Sequence, residues 1–127
     1  MRLLLPLKQQ KIFLRQKVGF LANSFKNAKV DLTTTNITTL YTAPNNARAI
    51  VKSILVSEDS GNADTITVTL TNASSAVFSL FKVKAVGANT TIELLTAPLV
   101  VTEGEIIKVT AATANRLHVV ASVLEVS

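Results

Sequence analysis

The feature that most constrains this chain is a series of short segments in which apolar and polar residues alternate. The clearest is Thr65–Thr71, where Ile66, Val68 and Leu70 share one side and the threonines share the other. Strict alternation is typical of a strand with one buried and one solvated face. Thr, Val and Ile also fit the pleated surface of a sheet. The segment therefore predicts an antiparallel strand.

Other segments of the same character follow at short intervals, and no helix-length periodic stretch interrupts them. Turn sequences such as Ala43-Pro44-Asn45-Asn46 separate them. The predicted strands are 38–42, 47–58, 65–71, 76–86, 90–95, 99–102, 106–112 and 117–126. About eight short strands at regular spacing predict an all-β fold, namely a single antiparallel β-sandwich that is jelly-roll-like.

The N-terminal region differs from the rest in charge and pattern. Residues 1–31 contain seven basic residues against one acid, Asp31, whereas residues 32–127 contain six basic and seven acidic residues. The formal net charge of +5 therefore belongs to the N-terminal region. The residues before 31 also lack strand alternation. We predict a basic N-terminal arm with its junction at 1–36 and a β-sandwich domain at 37–127.

Within the arm, apolar residues recur at spacings of three and four, which is typical of one apolar helix face. An extended arm is equally allowed, because an isolated helix of this kind is marginal in water. Nucleic-acid phosphates, an anionic membrane and an acidic protein surface are alternative partners, and the apolar stripe favours the last two. We predict docking to a protein partner through Leu7, Lys8, Lys11, Leu14, Arg15, Lys17, Val18, Leu21, Phe25 and Lys26.

The last predicted strand is apolar on both faces. Leu117, Val119, Ala121 and Val123 share one face, and further apolar residues lie on the other. A monomeric sandwich should solvate its outer face, so this strand indicates either a covering arm or subunit, or a small barrel with local cover. We predict an oligomer interface at His118, Val120, Leu124 and Val126.

Residues that carry chemistry are scarce. The chain has no cysteine and a single histidine, His118, with no sequence motif marking a nucleophile or a nucleotide site beside it. The acidic loop 58–64 is a hairpin turn with solvated charges, or alternatively a calcium site. The longest apolar runs are far shorter than the roughly 20 residues of a membrane-spanning helix. We predict no enzymatic activity, no catalytic residues, no cofactor and no metal.

Two stretches resemble a known group of proteins. Leu40-Tyr41-Thr42-Ala43-Pro44 followed by Val51-Lys52-Ser53-Ile54, and later Glu103-Gly104-Glu105-Ile106, resemble small β-sandwich virion proteins of tailed bacteriophages. The likeness covers roughly residues 37–127 and consists of turn-and-strand patterns, so it implies a module rather than an activity.

The resemblance implies a capsid decoration or cement protein, commonly a trimer, whose partner is the major capsid protein or another virion protein. It implies location in the virion, with assembly in the host cytoplasm. A neck, tail or fibre-attachment protein is the alternative. A carbohydrate-binding module is weaker, because sugar binding needs aromatic platforms and the chain has one Tyr and no Trp. We expect no small-molecule substrate and no membrane, and we do not expect nucleic-acid binding.

Overall fold

The computed structural model describes residues 23–127. Within them the chain forms nine β-strands and no helix, and hence no helix long and apolar enough to cross a membrane. The strands are β1 (Asn23–Asp31), β2 (Thr38–Thr42), β3 (Arg48–Glu58), β4 (Asp64–Thr71), β5 (Val77–Val86), β6 (Thr91–Glu93), β7 (Leu99–Val101), β8 (Ile106–Ala111) and β9 (Leu117–Val126).

The strands make two antiparallel sheets. The first sheet has the order β1-β9-β3-β6, with β7 also paired to β3, and the second sheet has the order β2-β8-β4-β5. Because β6 and β7 pair with successive parts of β3, they form one interrupted edge strand. Counted in this way, two four-stranded sheets follow the jelly-roll order. The predicted jelly-roll-like sandwich is confirmed, and the eight predicted strands are present as β2 to β9.

The core lies between the two sheets and consists of their inward-facing aliphatic side chains. The first sheet contributes Val51, Ile54 and Val119, and the second contributes Val68 and Ile107, all fully buried. Burial of each such side chain stabilises the fold by about 1.5–3 kcal/mol. The inward face of β9 carries the four residues that the sequence pattern grouped together, ending at Val123.

A β-bulge in β3 changes which residues face the core. The register with β9 shifts between Val51 and Ser53, so Lys52 is an extra residue. Strict alternation would group Val51 with Ser53 and Leu55, but Ile54 is buried and Leu55 is exposed. The alternation inferred from the sequence is therefore wrong beyond Lys52, because one extra residue turns every following side chain to the opposite face.

Residues 23–31, which the sequence pattern assigned to the arm, form β1. This strand pairs with β9 along its whole length, from Asn23 opposite Val126 to Asp31 opposite His118. The extended alternative therefore holds for these residues, and the helical alternative does not. The strand shows no apolar alternation because it lies at a sheet edge, where charged side chains are tolerated and protect against unwanted pairing. The arm remains a prediction for residues 1–22, which lie outside the described residues.

Candidate functional site

The outer face of the first sheet carries a continuous row of apolar side chains, one from each of the strands β1, β9, β3 and β7. The cross-strand register aligns Phe25 with Leu124, Leu124 with Ile50, and Ile50 with Val100. Phe25 is 77% exposed and Val100 is 54% exposed. We call these four residues the apolar row. This exposed apolar surface is a candidate contact surface for another molecule.

A second row crosses the same face four residues further along β1 and β9 and, because of the bulge, five residues further along β3. It joins Lys29 to Val120, Val120 to Leu55, and Leu55 to Glu93. The side chains at its two ends have opposite charges, and the two central side chains are apolar and more than a third exposed. We call it the charged row. Between the two rows lie polar residues, including Ser122 of β9 and the exposed Lys52 of β3.

The outer face of the second sheet differs. Its register aligns Thr39 with Lys108, Lys108 with Thr69, and Thr69 with Ser79, which we call the polar row. Each of these side chains is at least partly exposed. This row is therefore solvated, as the threonine alternation of β4 predicted, while β5 at the edge of the same sheet also exposes Val77, Phe78 and Val83.

The four residues predicted for an oligomer interface, His118, Val120, Leu124 and Val126, lie together on the outward face of β9. Their use as an interface stays a prediction. Sequence reasoning missed Ile50, Leu55 and Val100, which β3 and β7 place beside them. Ile50 belonged to a recognised strand, but only the pairing of β3 with β9 makes it a neighbour of Leu124.

Two of the residues predicted for partner binding by the arm lie in β1, and they have different surroundings. Phe25 begins the apolar row, with the Lys52 ammonium nitrogen 5.8 Å from its ring centroid. Lys26 points between the sheets, where its ammonium group forms a 2.9 Å ion pair with Glu125. The remaining predicted residues, Leu7, Lys8, Lys11, Leu14, Arg15, Lys17, Val18 and Leu21, lie outside the described residues.

Glu125 joins the two sheets at this end of the sandwich. The Tyr41 hydroxyl, from the second sheet, donates a 2.5 Å hydrogen bond to the Glu125 carboxylate. Burial by itself raises the pKa of Glu125, but the Tyr41 hydrogen bond and the Lys26 charge outweigh it and hold the pKa below its ordinary value. Burial, the same hydrogen bond and the carboxylate charge raise the pKa of Tyr41. The network is structural, since each group is occupied by the others.

His118 lies between two carboxylates at the far end of the outer face. Its Nε2 is 3.3 Å from Asp31 Oδ1 and its Nδ1 is 3.5 Å from Asp59 Oδ2. Both ring nitrogens therefore face carboxylates, whereas nucleophilic catalysis needs a histidine nitrogen beside a hydroxyl or thiol. The geometry gives His118 a role in linking β1 to the loop after β3.

The acidic loop after β3 is organised by Glu58, whose side chain turns inward. Its carboxylate accepts hydrogen bonds from the backbone N–H groups of Ser60 (2.8 Å), Gly61 (3.1 Å) and Asn89 (3.0 Å), and from the Ser60 hydroxyl. Burial raises the pKa of Glu58, yet these hydrogen bonds outweigh it and lower the pKa to about 2. The oxygens that a calcium ion would need are engaged by donors, and residues 23–127 contain no group of three potential metal ligands.

Comparison with known proteins defines the fold. No family model matches the chain, and no curated protein sequence matches it. Among solved structures, a chain from the capsid of Helicobacter pylori bacteriophage KHP30 matches with a TM-score of 0.52 and 13% identity, over 84% of this chain and 94% of that one.

Two other solved structures share the fold. A chain of the Bacillus endospore appendages, described as disulfide-linked pili, has a TM-score of 0.51 and 9% identity, over 84% of this chain and 88% of that one. A chain of infectious bursal disease virus, strain Gx, has a TM-score of 0.51 and 9% identity, over 82% of this chain and 32% of that one. At such identities the likeness establishes a shared jelly-roll sandwich and nothing finer.

Proposed function

We propose that this chain is a non-enzymatic structural protein of a bacteriophage virion, and specifically a capsid decoration or cement protein. The observation that carries the proposal is the apolar row, which a protein working alone would leave in contact with water. The likeness to a capsid chain of bacteriophage KHP30 supports it, since that chain is of similar length and is matched over 94% of its residues. The resemblance of residues 37–127 to tailed-phage virion proteins supports it independently.

The distribution of charge supports a protein partner for the N-terminal segment. Residues 1–22 contain five basic residues and no acid, whereas residues 23–127 contain eight of each sign. The whole formal net charge of +5 therefore resides in 22 residues. Such a segment is attracted to an acidic protein surface, and attachment through it adds avidity to a sandwich contact. We assign that surface to the major capsid protein or to another virion protein.

Copy number is the test of this proposal. Particles of the parent phage would be purified and their proteins quantified by mass spectrometry, scaled to the major capsid protein. About one copy per capsid chain is expected for a decoration protein that covers the lattice. Absence from the particles would overturn the virion role. The resemblance implies a trimer at each lattice point, and native mass spectrometry of protein released from particles would count its chains.

A neck, tail or fibre-attachment protein is the second candidate. The shared fold with a pilus subunit favours it, because subunits of that shape assemble into filaments. This chain cannot form the disulfide linkage of those pili, because it has no cysteine. A count of about three to eighteen copies per particle, as rings or spikes of closed symmetry would give, would select this candidate over decoration.

The arm can be tested separately by removing its charge. A variant with Lys8, Lys11, Arg15 and Lys17 changed to Ser should bind the particle more weakly, and its binding should depend less on salt. The matched control changes four basic residues of the sandwich, Lys82, Lys84, Lys108 and Arg116, to Ser. Equal loss of binding in both variants would contradict docking through the arm.

A further inference from the structure

In the two rows on the outer face of the first sheet, the side chains at the two ends of each row are complementary in character. The apolar row is apolar from Phe25 on the β1 edge to Val100 on the β7 edge. The charged row has Lys29 on the β1 edge and Glu93 on the β6 edge, with apolar side chains between them. A rotation that exchanges the β1 end of each row with its β6 or β7 end therefore sets complementary side chains against each other.

We propose that the outer face of the first sheet binds a second copy of this chain through a twofold axis that lies in the face, parallel to the strands, between β9 and β3. Such a contact is isologous, so each pair of facing residues occurs twice. The inference depends on the described residues alone and does not require the proposed virion role. It applies equally to two free copies and to two copies from neighbouring trimers.

The axis brings complementary side chains together in both rows. It places Phe25 against Val100 of the second copy and Leu124 against Ile50 of the second copy, which buries the apolar row on itself. In the charged row it places Lys29 against Glu93 of the second copy, and the reverse pair forms at the other end. Val120 meets Leu55 of the second copy in the centre of that row.

A twofold axis perpendicular to the strands gives a poorer match. It would exchange the two rows and set Phe25 against Lys29, and Val100 against the Glu93 carboxylate. Burying a carboxylate against an aliphatic side chain costs free energy that no new partner returns. The charge pattern therefore selects the axis parallel to the strands.

A second copy also fits the face better than residues 1–22 of the same chain do. That segment carries five basic residues and no acid. The outer face itself presents Lys29, Arg48 and Lys52 beside Asp31 and Glu93, so it offers no excess of negative charge to hold a basic segment. A second copy supplies an opposite charge at one matching position, where its Glu93 meets Lys29.

Crosslinking of single-cysteine variants tests the contact on the full-length chain, which has no cysteine of its own. Ser122, between the two rows, lies next to the proposed axis. Its Cα would be about 11 Å from that of its symmetry mate, given about 10 Å between packed sheets and about 4.8 Å between strands. Ser122→Cys should therefore form a covalent dimer with a short bismaleimide. The control, Thr69→Cys on the polar row, should stay monomeric under the same conditions.

Charge reversal tests the choice of axis. Lys29→Glu would place two carboxylates against each other at both ends of the charged row, and the dimer dissociation constant measured by sedimentation should rise at least about tenfold. The control, Lys108→Glu on the second sheet, should leave it unchanged. A protein that sediments as a monomer at tens of micromolar with no Ser122→Cys crosslink overturns the contact. An unchanged dissociation constant for Lys29→Glu overturns the proposed axis. A crosslink in Thr69→Cys equal to that in Ser122→Cys would place the contact elsewhere.

Discussion

The outer faces of the two sheets are built from similar strands but differ in the rows of side chains that cross their centres. On the first sheet the row that runs from Phe25 to Val100 is apolar, and on the second sheet the row that runs from Thr39 to Ser79 is polar. The inward faces of both sheets are equally apolar. Burial in the core explains the inner faces, whereas exposed apolar side chains on an outer face are typical of a contact surface. Because the second sheet exposes large apolar side chains only at its β5 edge, at Val77, Phe78 and Val83, we propose the first sheet as the face for assembly.

The largest expected effect separates the inner face of the first sheet from its outer face. Ile54→Ala should lower the free energy of unfolding by about 2–5 kcal/mol, because it leaves a cavity in the core. Leu55→Ala, the adjacent residue on the outer face, should cost less than about 1 kcal/mol in the dissociated monomer. Denaturant unfolding at low protein concentration measures both. A larger loss for Leu55→Ala would mean that simple alternation continues past Lys52 and that the bulge is absent.

The next effect concerns the hydrogen bond that joins the two sheets, between the Tyr41 hydroxyl and the Glu125 carboxylate. Tyr41→Phe should cost about 1.5–3 kcal/mol of unfolding free energy, because it removes a hydrogen bond to the buried Glu125 carboxylate. The folded-state pKa of Tyr41 is raised above its ordinary value of 10.0, so its contribution to stability is present below pH 10 and is lost as the pH rises further. The variant should lack this alkaline loss. Thr42→Val, an exposed change on the same strand, serves as the control.

The loops at the end of the sheets should respond to acid. The folded-state pKa of Glu58 is about 2, below its ordinary value of 4.5, so its stabilising contribution is present above pH 4.5 and is lost as the pH falls towards 2. Glu58→Gln should therefore lower Tm most at neutral pH, and the difference from the wild type should shrink as the pH falls towards 2. Glu93 and Glu125, whose pKa values are also lowered, leave some acid sensitivity in the variant. A Tm difference that is independent of pH would contradict the role of the Glu58 charge.

The smallest effect compares the two outer faces directly. Lys52→Met removes the cation that lies 5.8 Å from the Phe25 ring centroid, and it should cost about 0.5–1 kcal/mol of unfolding free energy. Lys108→Met, in the middle of the polar row, should change that free energy by less than about 0.5 kcal/mol. Denaturant unfolding measures both variants. Equal changes in the free energy of unfolding would show that the contact between Lys52 and Phe25 does not stabilise the fold.

Much of the fold was predictable because the local sequence pattern identifies most of the strands. The eight predicted strands are all present, since period-two alternation and turn residues depend only on neighbours along the chain. The strand β1 was not predictable from the same signal. Its outward face mixes Phe25 with Lys29 and Asp31, and its inward face includes Lys26, whose charge is neutralised by Glu125 from the other end of the chain.

The candidate site was predictable in part for the same reason. The outward residues of β9 were recognisable because a single strand, apolar on both faces, contains them. Their neighbours Ile50, Val100 and Phe25 come from strands distant in sequence. The arrangement of the acidic loop was not predictable from the sequence. A cluster of acids around Gly61 gives no sign that the Glu58 carboxylate turns inward onto backbone N–H groups.

The sequence by itself determined the fold class, the turns and the charge division between residues 1–31 and the rest, because these are properties of local pattern and composition. Only the tertiary structure decided the strand order, the bulge at Lys52 and the union of four strands into one apolar row. These depend on which distant segments pair and in what register, and a shift of one residue would have turned each side chain to the other face. The tertiary pairing, rather than any single strand, therefore creates the surface through which we propose that this protein assembles.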